Sequence, residues 1–256
     1  MDSRAAAYFS LSLSLAGCGL TSFPEPTHRE EGAGGHGGTN GNDAQTGEGC
    51  NGSKPFPSTP VLDSFDRSDG PVGSNWTGET QGFSLVQGKV SGDATGGESI
   101  YFHERFGGDQ EVFATLSAFD PELYDMSLIF KADTASGCPS LRLRYANGYT
   151  LMHDVLITKC EDATYGILLD HEVPPLHPGA RIGARAFTNG CVEVFARDGL
   201  PDGGAAPRFD FLESVKVPSF ATIAYPGYLG LYSQPKKDGG NGVASVWDDF
   251  GGGTVR

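Results

Sequence analysis

From Val61 onward, apolar and polar residues alternate in short runs, with clusters of Gly, Pro, Asn and Asp between them. Among the runs are Ser99-Ile-Tyr-Phe-His, Val112-Phe-Ala-Thr-Leu-Ser-Ala-Phe, Met126-Ser-Leu-Ile-Phe-Lys, Cys191-Val-Glu-Val-Phe-Ala and Tyr228-Leu-Gly-Leu-Tyr. A period of two sends successive side chains to opposite faces of an extended strand. In Leu141-Arg-Leu-Arg the leucines take one face and the arginines the other, as a strand with one wet face requires. Asn147-Gly148, lying between two such runs, predicts a two-residue hairpin turn. No apolar stripe of helical period and ordinary length occurs. Strands at roughly ten-residue spacing, separated by turn chemistry, predict an all-β, two-sheet antiparallel sandwich over residues 61–256.

The alternation does not extend upstream. Residues 19–60 are rich in glycine and proline and carry almost nothing apolar. Such a stretch cannot offset its own ordering entropy by burial, so it predicts a flexible linker. His28 and His36 lie within it without the convergence a metal site needs. Before the linker, Arg4 precedes an apolar run from Ala5 to Leu15 that is broken by serines. Residues 1–18 therefore read as a secretory signal. Its last four residues, Leu15-Ala16-Gly17-Cys18, resemble the lipobox of bacterial lipoproteins, whose small residues let a peptidase reach the bond before an acylated cysteine. The resemblance implies lipidation at Cys18 and stable anchoring through several acyl chains. Gly19 stands where an inner-membrane retention signal would show aspartate, which implies the outer membrane or cell surface. The other reading is a short buried helix with an incidental cysteine.

Composition narrows the class further. The 38 glycines and 16 prolines argue against a helical bundle. Sixteen Phe, nine Tyr and two Trp supply a core. Eighteen basic against 32 acidic residues give a formal charge of −14, which repels phosphate backbones and predicts no nucleic-acid partner. Neutral sugars and divalent cations remain compatible with it. No run of apolar residues is long enough for a spanning helix, so membrane contact is expected through the lipid anchor alone.

The two ends of the alternating region carry a more specific signal. Leu62-Asp-Ser-Phe-Asp-Arg-Ser-Asp-Gly-Pro-Val-Gly-Ser-Asn-Trp-Thr resembles the opening of bacterial and phage laminin-G-like jelly rolls. Gly230-Leu-Tyr-Ser and Val246-Trp-Asp-Asp-Phe are similar to the closing segments of the same group, which belongs to the concanavalin A-like lectin/glucanase superfamily. The resemblance implies a jelly roll over about 61–250 whose first and last strands lie side by side, bringing the two motifs together. Lys131 stands where that group usually carries arginine.

Five cysteines then need an account. With Cys18 lipidated, Cys50, Cys138, Cys160 and Cys191 are left, an even number that fits two disulfides in an exported chain. Three connectivities are open. Cys138–Cys160, bracketing Asn147-Gly148, is the pairing we favour, with zinc as the other use of these thiols.

Asp63, Asp66 and Asp69 near the start and Asp248 and Asp249 near the end are carboxylates that paired termini would gather. Oxygen-rich clusters suit calcium, and the resemblance implies a structural ion of that kind at Asp63, Asp66, Asp248 and Asp249. Equally, Asp63 and Asp249 can cap turns or pair with Arg67. Tyr145, Tyr149, Tyr225 and Tyr228 form a candidate sugar-stacking platform, since a ring face packs against a pyranose, or they belong to the core.

A glycoside hydrolase on this fold needs two carboxylates on one strand face. The E-x-D-x-x-E pattern of the superfamily's laminarinase-like members is missing, and Asp170 and Glu172, at i and i+2, run into Pro174-Pro175. No catalytic residue is assigned. The expectation is non-catalytic recognition of a glycan or a surface protein, with a divergent hydrolase or a structural adhesion module as alternatives.

Overall fold

The computed structural model describes residues 50, 55–92, 98–118, 125–133, 140–147, 153–161, 164–199, 209–217, 225–234 and 245–256. All of these lie in the unit Asp43–Arg256. The signal, Cys18, most of the linker, Cys138 and Tyr149 lie outside the described residues.

Among the described residues, sixteen strands follow one another: β1 Val61–Asp63, β2 Gly70–Pro71, β3 Trp76–Gly78, β4 Phe83–Val86, β5 Lys89–Gly92, β6 Glu98–Phe102, β7 Gln110–Ala118, β8 Asp125–Ala132, β9 Ser140–Asn147, β10 His153–Glu161, β11 Thr164–Val173, β12 Ala180–Ala186, β13 Cys191–Arg197, β14 Asp210–Lys216, β15 Tyr228–Gln234 and β16 Val246–Thr254. A single turn of 3-10 helix, Thr80–Gly82, is the one helical element among the described residues. Sheet A runs β14-β13-β12-β7-β16-β5-β4-β2, with β1 added on β16; sheet B runs β11-β10-β9-β8-β15-β6-β3. Neighbouring strands are antiparallel throughout. The fold is the all-β, two-sheet antiparallel sandwich that the alternation predicts, and the jelly roll that the resemblance implies.

The core fills the space between the sheets. Val112, Ala114, Leu116, Ile182, Ala184, Val192, Val194 and Trp247 reach it from sheet A; Ile100, Leu128, Phe130, Leu141, Leu143, Leu229 and Leu231 reach it from sheet B. Each is every second residue of its strand, so the residues between them lie on the outer faces. Burying one large apolar side chain is worth about 1.5–3 kcal/mol, and this interleaved set fixes the register of both sheets.

The paired termini are as expected. β1 lies on β16, with Asp63 opposite Phe250 and Val61 opposite Gly251. Trp76 then packs on Phe250, with ring centroids 4.9 Å apart, and on Phe65 and Phe102. The first and last motifs thus share one corner of the core.

The hairpin after β9 differs from the expectation. Asn147 pairs with His153, so the connection is 148–152 rather than the two residues Asn147-Gly148. The paired stretch of β9 extends to Asn147 itself, which takes the favourable turn residue into the ladder.

Part of the segment assigned by composition to the linker packs on the domain. Cys50 forms a disulfide with Cys191, and Phe56 stacks on Phe195 at 3.9 Å. Phe56 fits there because Gly183 beneath it has no Cβ: a methyl at that position would lie 2.7 Å from Cε1 of the Phe56 ring. Cys160 is also disulfide-bonded.

Candidate functional site

The outer face of sheet B carries a line of tyrosines. In β15, Tyr228, Gly230 and Tyr232 occupy alternate positions and so share one face. Gly230 lies opposite Tyr101 of β6, and a Cβ on Gly230 would come within 3.0 Å of the Tyr101 ring. Tyr101 therefore settles over the glycine, between the two β15 tyrosines. Ile129 and Ala132 of β8 pack against this cluster, separate from the main core.

An arginine stands at each end of the line. The Arg142 guanidinium lies 4.3 Å from the Tyr232 ring centroid, and that of Arg105 lies 5.4 Å from Tyr228. Both contacts are within cation–π range. Tyr101 and Tyr232 are buried, whereas Tyr228 is half-buried. Tyr225, just beyond Tyr228, is 63% exposed. Arg105 is also exposed and donates to the Asp133 carboxylate at 3.1 Å and to the Pro226 carbonyl at 2.9 Å. The open end of the line is thus a surface constellation of Tyr225, Tyr228, Arg105 and Asp133. It offers exposed aromatic faces beside a charged donor and a charged acceptor.

Tyr145 does not belong to this platform. Its side chain is buried in the main core, and its hydroxyl accepts a hydrogen bond from the Leu176 amide at 3.1 Å. The cause is parity. Tyr145 follows Leu141 and Leu143 at even spacing and therefore points inward with them. Burial, the largest influence, raises its phenol above the usual range. Tyr149 lies outside the described residues. Tyr101 and Tyr232 join the line without having been singled out by sequence reasoning, although the run Tyr228-Leu-Gly-Leu-Tyr already puts two tyrosines and a gap on one face.

The acids at the paired termini divide into two groups. Asp63 is buried and accepts from Arg67 Nη1 at 2.5 Å, Arg67 Nη2 at 3.0 Å, Trp76 Nε1 at 2.8 Å and the Phe65 amide at 2.9 Å. Burial alone would raise this carboxyl, but the Arg67, Trp76 and Phe65 hydrogen bonds outweigh it and hold it below the ordinary value. A carboxylate so occupied does not fit as a calcium ligand, and the pairing with Arg67 replaces that role. Asp248 accepts from the Asp249 amide at 2.9 Å and lies 3.5 Å from Lys89 Nζ. Asp249 is half-buried; burial, then Asp248, with a contribution from Asp66, raises its carboxyl against the pull of Arg181 and Lys89. Among the described residues, no three or more His, Cys, Asp or Glu side chains form a group able to hold a metal ion.

Other polar pairs are ties between elements. His171 of β11 meets Glu213 of β14 at 2.9 Å, which joins the two sheets at their edges. His177 contacts Asp198 through both its amide and its ring, at 2.7 and 2.8 Å. Asp170 and Glu172 are exposed on β11, an edge strand of sheet B. Lys131 is buried with its ammonium lowered to about 8, by desolvation against the opposing charge of Asp109.

No protein-family model matches the chain, and no curated protein matches it. Solved structures do. A xylan β-1,4-xylosidase from Bacillus halodurans C-125 is 16% identical with a TM-score of 0.51, covering 78% of this chain and 40% of its own. The GH43 protein BlXynB from Bacillus licheniformis is 11% identical with a TM-score of 0.51, covering 74% of this chain and 38% of its own. A carbohydrate binding module, CBM66, from Bacillus subtilis is 12% identical with a TM-score of 0.49, covering 71% of this chain and 94% of its own. The chain spans 40% and 38% of the first two of these, and at these identities the likeness is one of fold.

Proposed function

We propose that this domain recognises carbohydrate without cleaving it, using the exposed end of the tyrosine line on sheet B. The observation that carries this reading is the constellation of Tyr225, Tyr228, Arg105 and Asp133. A sugar ring stacks on Tyr225, and its hydroxyls exchange hydrogen bonds with the Arg105–Asp133 pair. Because that pair is neutral as a whole, it favours an uncharged sugar over an acidic one. The xylan β-1,4-xylosidase that shares the fold is a protein of polysaccharide chemistry, which supports a glycan ligand here.

The lipobox-like Leu15-Ala16-Gly17-Cys18 supports a lipid-anchored domain at the outer membrane or cell surface. A structural calcium belongs to the same proposal: Asp66, Asp248 and Asp249, which form no metal group as they stand, would close on the ion while Asp63 stays with Arg67, and the raising of Asp249 by Asp248 and Asp66 supports it.

The test is a glycan array run beside a hydrolysis assay on the oligosaccharides that bind. Binding without product, lost in Tyr225→Ala, is the expected result. Product release would make the domain a hydrolase. Binding only to proteins would move its function to adhesion.

A further inference from the structure

We propose that Lys131 and Gln110 are positioning residues that fix the Tyr225–Tyr228 turn in its ligand-ready form. The inference rests on the carbohydrate reading above only for its functional consequence. The geometry begins with a bulge. Ile129 pairs with Gly230 and Ala132 with Tyr228, so β8 sets Phe130 and Lys131 opposite Leu229 alone. Phe130 stays in the core, and Ile129 and Ala132 both reach the outer cluster although they are three residues apart. Lys131 is the extra residue. It takes a φ of +57°, in the left-handed region that side chains other than glycine rarely adopt. Bulges of this kind re-aim a side chain, and strain of this kind persists where a position matters.

The re-aimed ammonium runs beneath the turn. Lys131 Nζ donates to the carbonyls of Tyr225, at 2.9 Å, and Gly108. The Lys131 amide donates to Gln110 Oε1 at 2.8 Å, and Gln110 Nε2 donates to the Gly227 and Phe106 carbonyls at 3.0 and 3.1 Å. Phe106 and Gly227 also exchange a pair of backbone bonds at 2.9 and 3.0 Å. Arg105 takes the Pro226 carbonyl between them. Three successive carbonyls, those of Tyr225, Pro226 and Gly227, therefore each have their own donor. Gly227 must be glycine for the turn to lie this close: a Cβ there would be 2.9 Å from the backbone of Lys131 and Ala132.

Burying an ammonium merely to satisfy carbonyls is a costly way to stabilise a loop. It makes sense where the loop's shape is the product. A turn held at three carbonyls presents Tyr225 and Tyr228 without having to be ordered on binding, and avoided ordering appears as affinity.

Amide hydrogen exchange on the full chain tests this with Lys131→Met, Gln110→Ala and Lys131→Arg. In Lys131→Met and Gln110→Ala, exchange at Phe106 and Gly227 should accelerate by about tenfold or more, while Val112–Leu116 in β7 stays protected. Lys131→Arg should restore slow exchange, because a guanidinium keeps the donors. No acceleration at Phe106 and Gly227, or equal acceleration everywhere, overturns the proposal, and Gln110→Ala decides between these outcomes if Lys131→Met does not fold. In affinity gels containing xylan or laminarin, wild-type protein should be retarded, Lys131→Met should not, and Lys131→Arg should regain retardation. Wild-type protein that passes both gels freely counts against the carbohydrate reading and leaves exchange to judge the clamp.

Discussion

Trp76 Nε1 donates to Asp63 Oδ2 across 2.8 Å, and both residues are buried. With Arg67 on the other side of the carboxylate, this bond ties the first strand to the corner where Phe250 of β16 packs. The opening motif thus encodes a self-contained knot. Asp63→Ala would leave the Arg67, Trp76 and Phe65 donors without their acceptor, a loss of about 2–3 kcal/mol. Trp76→Phe keeps a six-membered ring but loses the bond and leaves a small cavity among Phe65, Phe102 and Phe250, together about 2 kcal/mol. The Asp63 carboxyl is lowered in the fold, so the stability it adds is present above the unfolded value near 3.8 and disappears as pH falls through the folded one. Thermal melts between pH 7 and pH 3 should show a steep acid limb in the wild type and a shallower one in Asp63→Asn.

The tyrosine line makes a prediction about which ring matters. Tyr225→Ala should lower affinity for an array-positive oligosaccharide by about fivefold, since one stacked ring is worth about a kilocalorie. Tyr145→Phe should leave affinity unchanged and cost about 1 kcal/mol of stability through the lost Leu176 bond. Titration calorimetry and melts on the same samples separate the two effects. An affinity loss in Tyr145→Phe would return that residue to the platform.

These tyrosines also show where a sequence is legible. Alternation gave both sheets, because a period of two depends only on nearest neighbours along a strand. The same parity already turns Tyr145 inward with Leu141 and Leu143, yet shared chemistry with Tyr149 and Tyr225 draws it into the platform. Tyr101 is hidden for a different reason. Its place over Gly230 depends on the pairing of β6 with β15, and register between distant strands is not written in either segment alone. The Lys131 bulge is unreadable for the same reason, since a bulge exists only relative to its partner strand.

The cover on sheet A should be separable by its disulfide. Cys50–Cys191 closes a separation of 141 residues, so its removal should cost about 2–4 kcal/mol. Under that cover Arg185 is fully buried, 2.8 Å from Glu111, whose carboxylate also accepts from Ser58 and Thr59. Phe56→Ala, which uncovers the same pair with the disulfide intact, should cost about 2 kcal/mol. Denaturant melts of both variants check this. Unreduced, denatured protein should give no thiol signal from Cys50, Cys160 or Cys191.

Membrane association is expected to depend on one sulfur. Cys18→Ser should move the protein from the detergent phase to the aqueous phase in a partition experiment, because the glycine-rich linker has no apolar face to insert. Unchanged partitioning would remove the lipoprotein reading and leave the recognition proposal untouched.

Asp249 allows the metal proposal to be tested apart from the fold. Burial, and next to it the charge of Asp248, raise its carboxyl, so the folded chain holds that proton more tightly than the unfolded chain does. The stability linked to it is therefore greatest in acid, falls as pH rises from 3.8 through the folded value, and stays lower at neutral pH. In chelator at pH 7, Asp249→Asn should melt higher than the wild type by about 2–4 °C for each kilocalorie of relieved repulsion. Asparagine is the right substitute because Asp249 has a φ of +47°, which asparagine tolerates. A divalent ion between Asp66, Asp248 and Asp249 would relieve the same repulsion, raising stability by about 2.7 kcal/mol at a hundredfold excess over Kd. Wild-type protein should then melt higher in calcium than in chelator, with magnesium doing less because it gives up water reluctantly. Asp249→Asn should lose that gain, and Asp63→Asn should keep it, since Asp63 is committed to Arg67. Equal wild-type melting in chelator, calcium and magnesium would reject the ion, and a calcium shift that survives Asp249→Asn would place it elsewhere.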